Sequence, residues 1–254
     1  MTENKYSKIL VLGAGPVVIG SSSEYDYSAA SVCRALKEEG ISVVSVNSNP
    51  DTIMTDKNVA DTVYIEPLNG ETVKKIIEKE IPDAIIGTTG GEAGLEICLE
   101  LLQNGYLDEH GTKLLGIKPE TIKAIRNEQA LRDTLENVGE PYVSAKVLPT
   151  DAECVTFAGE IGFPVLISPA FTPDFSEPIR CENANDILSG FGSCAERSLV
   201  NEVYVRKCVD DYKEVEFVAM RDSFGNCISV SSTENIDSVG IHSGDSIVVI
   251  PAQT

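Results

Sequence analysis

The chain has 254 residues, 42% of them hydrophobic and 24% charged, enough for one large or two modest cores and unlike a disordered chain. Forty acidic against twenty basic residues give a formal net charge of −20, which opposes nucleic-acid and anionic-lipid partners. The opening MTENKYSKILVLG lacks signal-peptide form, no apolar run reaches membrane-spanning length, and seven cysteines without a CxxC pair read as reduced thiols; a cytoplasmic protein with no metal site is expected.

In chain order, the first predicted element is the strand Lys8–Leu12, ending in Gly13-Ala14-Gly15-Pro16. SAASVCRALKEEG then shows helical spacing with Gly40 as its stop, and SVVSVN follows as a strand. NGETVKKIIEKEI reads as a helix, DAIIGTT as a strand, EAGLEICLELLQNG as a helix capped by Gly105, and KLLGI as a fourth strand. This alternation over residues 1–118 is the pattern of a doubly wound parallel sheet, a Rossmann-like α/β domain. Gly13 and Gly15 permit a tight turn after the first strand, but the third spaced glycine of a dinucleotide fingerprint is missing. They read first as a structural turn. The alternative is a small-ligand crevice at the carboxyl ends of the strands, formed by Gly13, Gly15, Asn47, Asn49, Thr88 and Gly90.

From Pro119 the pattern changes. PETIKAIRNEQALRDTLENVG is expected as a helix, SAKVLP as a strand, DAECVTFAGEIG as a helix and FPVLIS as a strand. Further strands are predicted at VNEVYVRKCV, YKEVEFVAMRD and CISVSST, the last two joined by the turn Ser223-Phe224-Gly225-Asn226, with a final apolar strand in HSGDSIVVIPAQT. A second, α+β domain therefore spans 119–254, divided into a smaller part over about 130–202 and an incomplete larger part over about 203–254.

Two strings carry a resemblance. NSNPDTIMTD, Asn47 to Asp56, follows the glycine turn, and ENIDSVGIHSGDSIVVIPAQT, Glu234 to Thr254, closes the chain. Together they resemble the N-terminal part of the carbamoyl-phosphate synthase large subunit. The resemblance implies a pre-ATP-grasp domain followed by part of an ATP-grasp domain, with ATP and Mg²⁺ as the family's cofactors. The family's nucleotide-contacting positions match Glu214, Gly240, Ile241 and His242 here.

Other family positions have changed. The resemblance aligns one arginine with Gln129 or Ala130, the nearest guanidinium being Arg132. The family's phosphate-binding arginine and flexible glycines become FPVLISPAFTPDFSEP, with Ser168 for the arginine and Asp174, Phe175, Glu177 and Pro178 for the glycines. Carboxylates and prolines there oppose a loop whose amides cradle phosphate. A family glutamate is replaced by Lys207, and the family's metal ligands fall beyond PAQT.

These departures imply a degenerate, non-catalytic paralogue that acts as a scaffold or binds a partner. No catalytic or metal residue is expected. The alternatives are a fragment or split subunit of the ATP-dependent synthase, needing another chain for its metal site, and a small-molecule binder at the crevice. A homodimer, or pairing with another synthase-like chain, is expected through the C-terminal half, because the apolar positions of YKEVEFVAM, CISVSS and SIVVI need a cover.

Overall fold

The computed structural model describes residues 5–16, 23–126, 128–170, 178–198, 200–210, 212–222, 224–239 and 246–254. The chain divides into two units, Met1–Leu131 with Ile241–Val248, and Arg132–Gly240 with Val249–Thr254.

The first unit is built on a parallel sheet of β1 (Lys8–Leu12), β2 (Ser42–Asn47), β3 (Thr62–Ile65), β4 (Ala84–Ile86) and β5 (Lys113–Leu115) in the order β3-β2-β1-β4-β5. Strand side chains alternate faces, and both faces here are apolar. Leu10, Leu12, Val44, Val46 and Ile85 pack with Val73, Ile76 and Ile77 of α2 (Gly70–Glu80) and Ile97 and Leu101 of α3 (Gly91–Gln103). Ile9, Val11, Val43 and Ala84 pack with Ala29, Ala30 and Cys33 of α1 (Ser23–Glu38). This is the doubly wound, Rossmann-like arrangement that the alternation predicts.

The sheet has five strands where the sequence reading counts four. TVYI, residues 62–65, was missed because only a single 3-10 turn, Ile53–Thr55, separates it from β2; the connection runs through NPDTIMTDKNVAD and is too irregular to signal a crossover. The helix stops follow local chemistry. Gly40 ends α1 at φ 77° and Gly105 follows α3 at φ 79°, both in the left-handed region that glycine adopts freely. The Asn69 carboxamide oxygen caps α2 by accepting from the Thr72 amide at 2.9 Å.

In the second unit, β6 (Ala145–Leu148), β7 (Val165–Pro169), β8 (Ile179–Cys181) and β9 (Val203–Lys207) form an antiparallel sheet in the order β6-β9-β7-β8. Val165, Ile167, Val203 and Val205 face Cys154 and Ala158 of one helix (Asp151–Ile161) and Ile187 and Cys194 of another (Ala184–Arg197). Strand β9, expected at the head of the larger part, lies between β6 and β7 because its buried valines complete this core. The sequence reading missed β8 and the Ala184–Arg197 helix, although that helix has a full capping box. The Asn183 side chain accepts from Asn185 and Asp186, and the Asp186 carboxylate accepts from the Asn183 amide at 3.2 Å. The helix expected as one over PETIKAIRNEQALRDTLENVG is described as Pro119–Arg126 and Glu128–Val138.

Strands β10 (Val215–Arg221) and β11 (Cys227–Asn235) form the expected hairpin, with a bulge at Val218/Ala219 and the two-residue strand Val248–Val249 completing a three-stranded sheet. Asp222 builds the turn by accepting from the Phe224 and Asn226 amides, both at 2.9 Å, while Gly225 adopts φ 92°.

Candidate functional site

The carboxyl ends of β1, β2 and β4 bring Gly13, Asn47 and Gly90 together. A Cβ on Gly13 would stand 2.5 Å from both Asn47 Nδ2 and Met54 Sδ, and one on Gly90 would stand 3.0 Å from the Gly13 carbonyl oxygen. Gly15, at φ 80°, lies by Ser48, and Thr88 borders Gly116. The Thr89 hydroxyl donates to the Leu12 carbonyl at 2.8 Å, fastening the loop after β4 to the end of β1.

Asn47 is buried, and its polar groups are engaged within its own loop. Nδ2 donates to Thr52 Oγ1 at 3.3 Å, and Oδ1 accepts from the Asn49 amide at 3.1 Å. Asn49 Oδ1 in turn accepts from the Asp51 amide at 3.0 Å, and Thr55 Oγ1 donates to the Thr52 carbonyl at 2.7 Å. Asp26 of α1 accepts from the Ile53 amide at 2.9 Å and the Met54 amide at 3.3 Å. The most distinctive string in the sequence is thus an internally hydrogen-bonded loop that fixes the backbone beside the glycine turn.

The second unit contains a cavity of about 450 Å³. Val143, Leu166, Pro178, Val209 and Val239 supply apolar wall; Tyr204, Arg206, Lys207 and Asp210 supply polar groups. Strand β9 sets three of these: Tyr204 and Arg206 alternate with its buried valines Val203 and Val205, and Lys207 ends the strand. The Lys207 ammonium donates to the Gly162 carbonyl at 2.8 Å and the Phe163 carbonyl at 3.2 Å, joining β9 to the turn ahead of β7. Asp210 is ion-paired with Arg180 Nη1, while Arg180 Nε donates to Glu182 at 2.7 Å. Beside this group, burial first and the Asp210 carboxylate second push the Cys208 thiol above its ordinary pKa, so it behaves as a thiol and not a thiolate.

Of the residues singled out from the sequence, Ser168 pairs with Tyr204 within the sheet. The Arg132 guanidinium donates to the Ala145 carbonyl at 2.7 Å and lies 4.8 Å over the Tyr142 ring, so it holds local structure. Half-buried Glu214 sits just before β10, where its carbonyl accepts from the Asn235 amide at 3.0 Å; its side chain does not line the cavity. Gly240, Ile241, His242 and Asp245, together with Asp174, Phe175, Glu177 and the side chain of Gln129, lie outside the described residues. Sequence reasoning missed Tyr204, Arg206 and Arg180. The alternation of β9 was the available signal, since it marks Tyr204 and Arg206 as opposite in facing to Val203 and Val205.

Among the described residues, no three His, Cys, Asp or Glu side chains come together as a metal site, and no helix is long and apolar enough to cross a membrane.

Comparison with known proteins matches two family models. Residues 5–124 match the carbamoyl phosphate synthase preATP-grasp domain, and residues 127–254 match the carbamoyl-phosphate synthase L chain, ATP binding domain. The chain is 48% identical over 251 residues to the carbamoyl phosphate synthase large chain of Agathobacter rectalis, covering 99% of this chain and 24% of the relative. It is 47% identical to that of Lachnoclostridium phytofermentans, with the same coverage of 99% and 24%. It therefore spans about a quarter of the length of these relatives. Among solved structures, N5-carboxyaminoimidazole synthetase from Staphylococcus aureus aligns with TM-score 0.70 and 16% identity, over 98% of this chain and 58% of that one. The biotin carboxylase domain dimer of Hydrogenobacter thermophilus 2-oxoglutarate carboxylase, in complex with MgADP, ADP and bicarbonate, aligns with TM-score 0.66 and 20% identity, over 90% and 50%. These two likenesses establish the fold.

Proposed function

The chain belongs to the carbamoyl phosphate synthase large-chain family, and on that premise we propose that it is a non-catalytic, cytoplasmic member serving as a scaffold that binds a partner polypeptide, first of all a second copy of itself. The observation that carries this reading is the β10–β11 hairpin. Every residue of β10 is exposed, with Phe217 at 71% and Met220 at 60%, and Ile228 opposite Met220 at 54%. Apolar side chains on a strand pair in water favour association.

The family's cofactors fit the described residues only in part. The apolar walls around Leu166 and Val239 suit a ring, but Ser168 stands where the family has a phosphate-binding guanidinium, and the described residues offer no group of acids for Mg²⁺. The inherited nucleotide positions Glu214, Gly240, Ile241 and His242 are proposed to have lost their catalytic use.

Light scattering at micromolar concentration tests the reading, with a dimer mass expected. A strictly monomeric protein, or bicarbonate-dependent ADP release well above a no-protein control, overturns it.

A second reading has the chain as a piece of an ATP-dependent synthase, active only when another chain completes it. The match to the ATP binding domain over residues 127–254 and the retained cavity favour it. Recovery of bicarbonate-dependent ADP release on mixing with the remaining three-quarters of a relative's large chain distinguishes the two.

A further inference from the structure

We propose that the cavity beside β9 binds a small organic carboxylate with an apolar body. The inference does not depend on how the chain associates.

The charge inside this cavity runs against that of the whole chain. Among the described residues, the Arg206 side chain has neither a hydrogen-bond nor an ion-pair partner, although the protein carries a net charge of −20. Beside it, the Lys207 ammonium reaches only the neutral carbonyls of Gly162 and Phe163. Those bonds occupy two of its three donors, leave its positive charge uncompensated and hold the side chain in place. Asp210 is the only carboxylate lining the cavity among the described residues, and Arg180 already neutralises it. The lining therefore holds two positive side chains, Arg206 and Lys207, against one carboxylate that is already neutralised among the described residues.

The lining also carries hydrocarbon, from Val143, Val239 and Leu166, the last paired in register with Arg206. A volume of about 450 Å³ lies in the range that holds a ring-sized ligand. A molecule that buries an aromatic or branched apolar body against these side chains and turns one carboxylate to Arg206 satisfies both halves of the site. The planar guanidinium fork of Arg206 matches a carboxylate through two parallel N–H···O bonds, and the Lys207 ammonium adds positive charge to the lining.

The test uses the full chain with benzoate, its neutral isostere benzamide, and phenyl phosphate as probes, followed by calorimetry and ligand-observed NMR. Benzoate is expected to bind in the millimolar range or better and benzamide about tenfold more weakly, the difference a charge-assisted hydrogen bond makes. Arg206→Gln should remove that preference while leaving the far-UV circular dichroism unchanged, because the side chain is exposed. Arg221→Gln, on the hairpin, should bind benzoate as the parent does. Equal affinity for benzoate and benzamide, no benzoate binding at millimolar concentration, or unchanged benzoate binding by a folded Arg206→Gln protein overturns the proposal. Tenfold preference for phenyl phosphate over benzoate overturns the carboxylate assignment.

Discussion

The Thr254 hydroxyl donates to Glu234 Oε1 at 2.6 Å, joining the end of the sequence to β11. The same carboxylate accepts from the Gln253 amide at 2.8 Å and from the Lys213 ammonium at 3.1 Å. The Thr254 hydroxyl first, then the Gln253 amide and Lys213, hold the Glu234 carboxyl down at about 2. A depressed carboxyl stabilises the folded state above its unfolded pKa of about 4.3, and that contribution is lost as pH falls from there toward 2. NMR titration should give a Glu234 midpoint about two units below an unperturbed glutamate, and Glu234→Gln should flatten the acid limb of the melting curve. A midpoint near 4.3 would show that the contacts do not persist in solution.

Replacing Lys207 by Met leaves the Gly162 and Phe163 carbonyls without their shared donor. All three residues are half-buried, so water replaces part of the interaction, and a loss of about 1 kcal/mol in the second unit is expected. Urea denaturation reads it as a lower midpoint at constant slope. An unchanged midpoint would mean that solvent serves the carbonyls equally well.

Two glycine-to-alanine changes should have opposite signs. Gly13→Ala drives a methyl into Asn47 and Met54 at 2.5 Å, which costs about 1–3 kcal/mol. Gly159 lies exposed in the Asp151–Ile161 helix with nothing within 4 Å of an added Cβ, so Gly159→Ala gains about 0.5–1 kcal/mol. Melting of the two variants beside the parent checks both; a destabilised Gly159→Ala or a neutral Gly13→Ala contradicts the packing described.

Cysteine alkylation should be ordered by burial. Cys33, Cys98, Cys154, Cys181 and Cys194 are buried, and burial pushes the Cys98 and Cys154 thiols up to about 12. Exposed Cys227 should label first and half-buried Cys208 more slowly, with the other five protected until denaturant is added. Mass spectrometry without reductant should count seven free thiols after unfolding. Protected disulfides in freshly purified protein would contradict the cytoplasmic reading.

Phe217→Asp and Ile228→Asp should each dissociate the dimer while leaving the monomer folded, since both side chains are more than half exposed. The proposed contact brings together chains of net charge −20, so salt should tighten it by screening their repulsion. Sedimentation at low and high salt reads this, with circular dichroism as the fold control. A dimer that survives both substitutions places the contact elsewhere. Val248→Asp probes the neighbouring strand in the same way.

The sequence by itself determined the doubly wound sheet, because the alternation of strand and helix and the glycines at positions 40 and 105 act over a few residues and need no distant partner. It also determined the family, through Asn47–Asp56 and Glu234–Thr254. Only the tertiary structure decided what those residues touch. Asn47 bonds inward to Thr52, Lys207 bridges the Gly162 and Phe163 carbonyls, Arg132 holds Ala145, and the Arg206 side chain, without a partner among the described residues, lines a cavity with apolar residues. The settings of Lys207 and Arg206 depend on strand pairing between residues tens of positions apart, with β9 settling between β6 and β7. Local periodicity fixes which side of a strand faces a core, but the neighbours on its other side are set by which distant segments complete the same sheet.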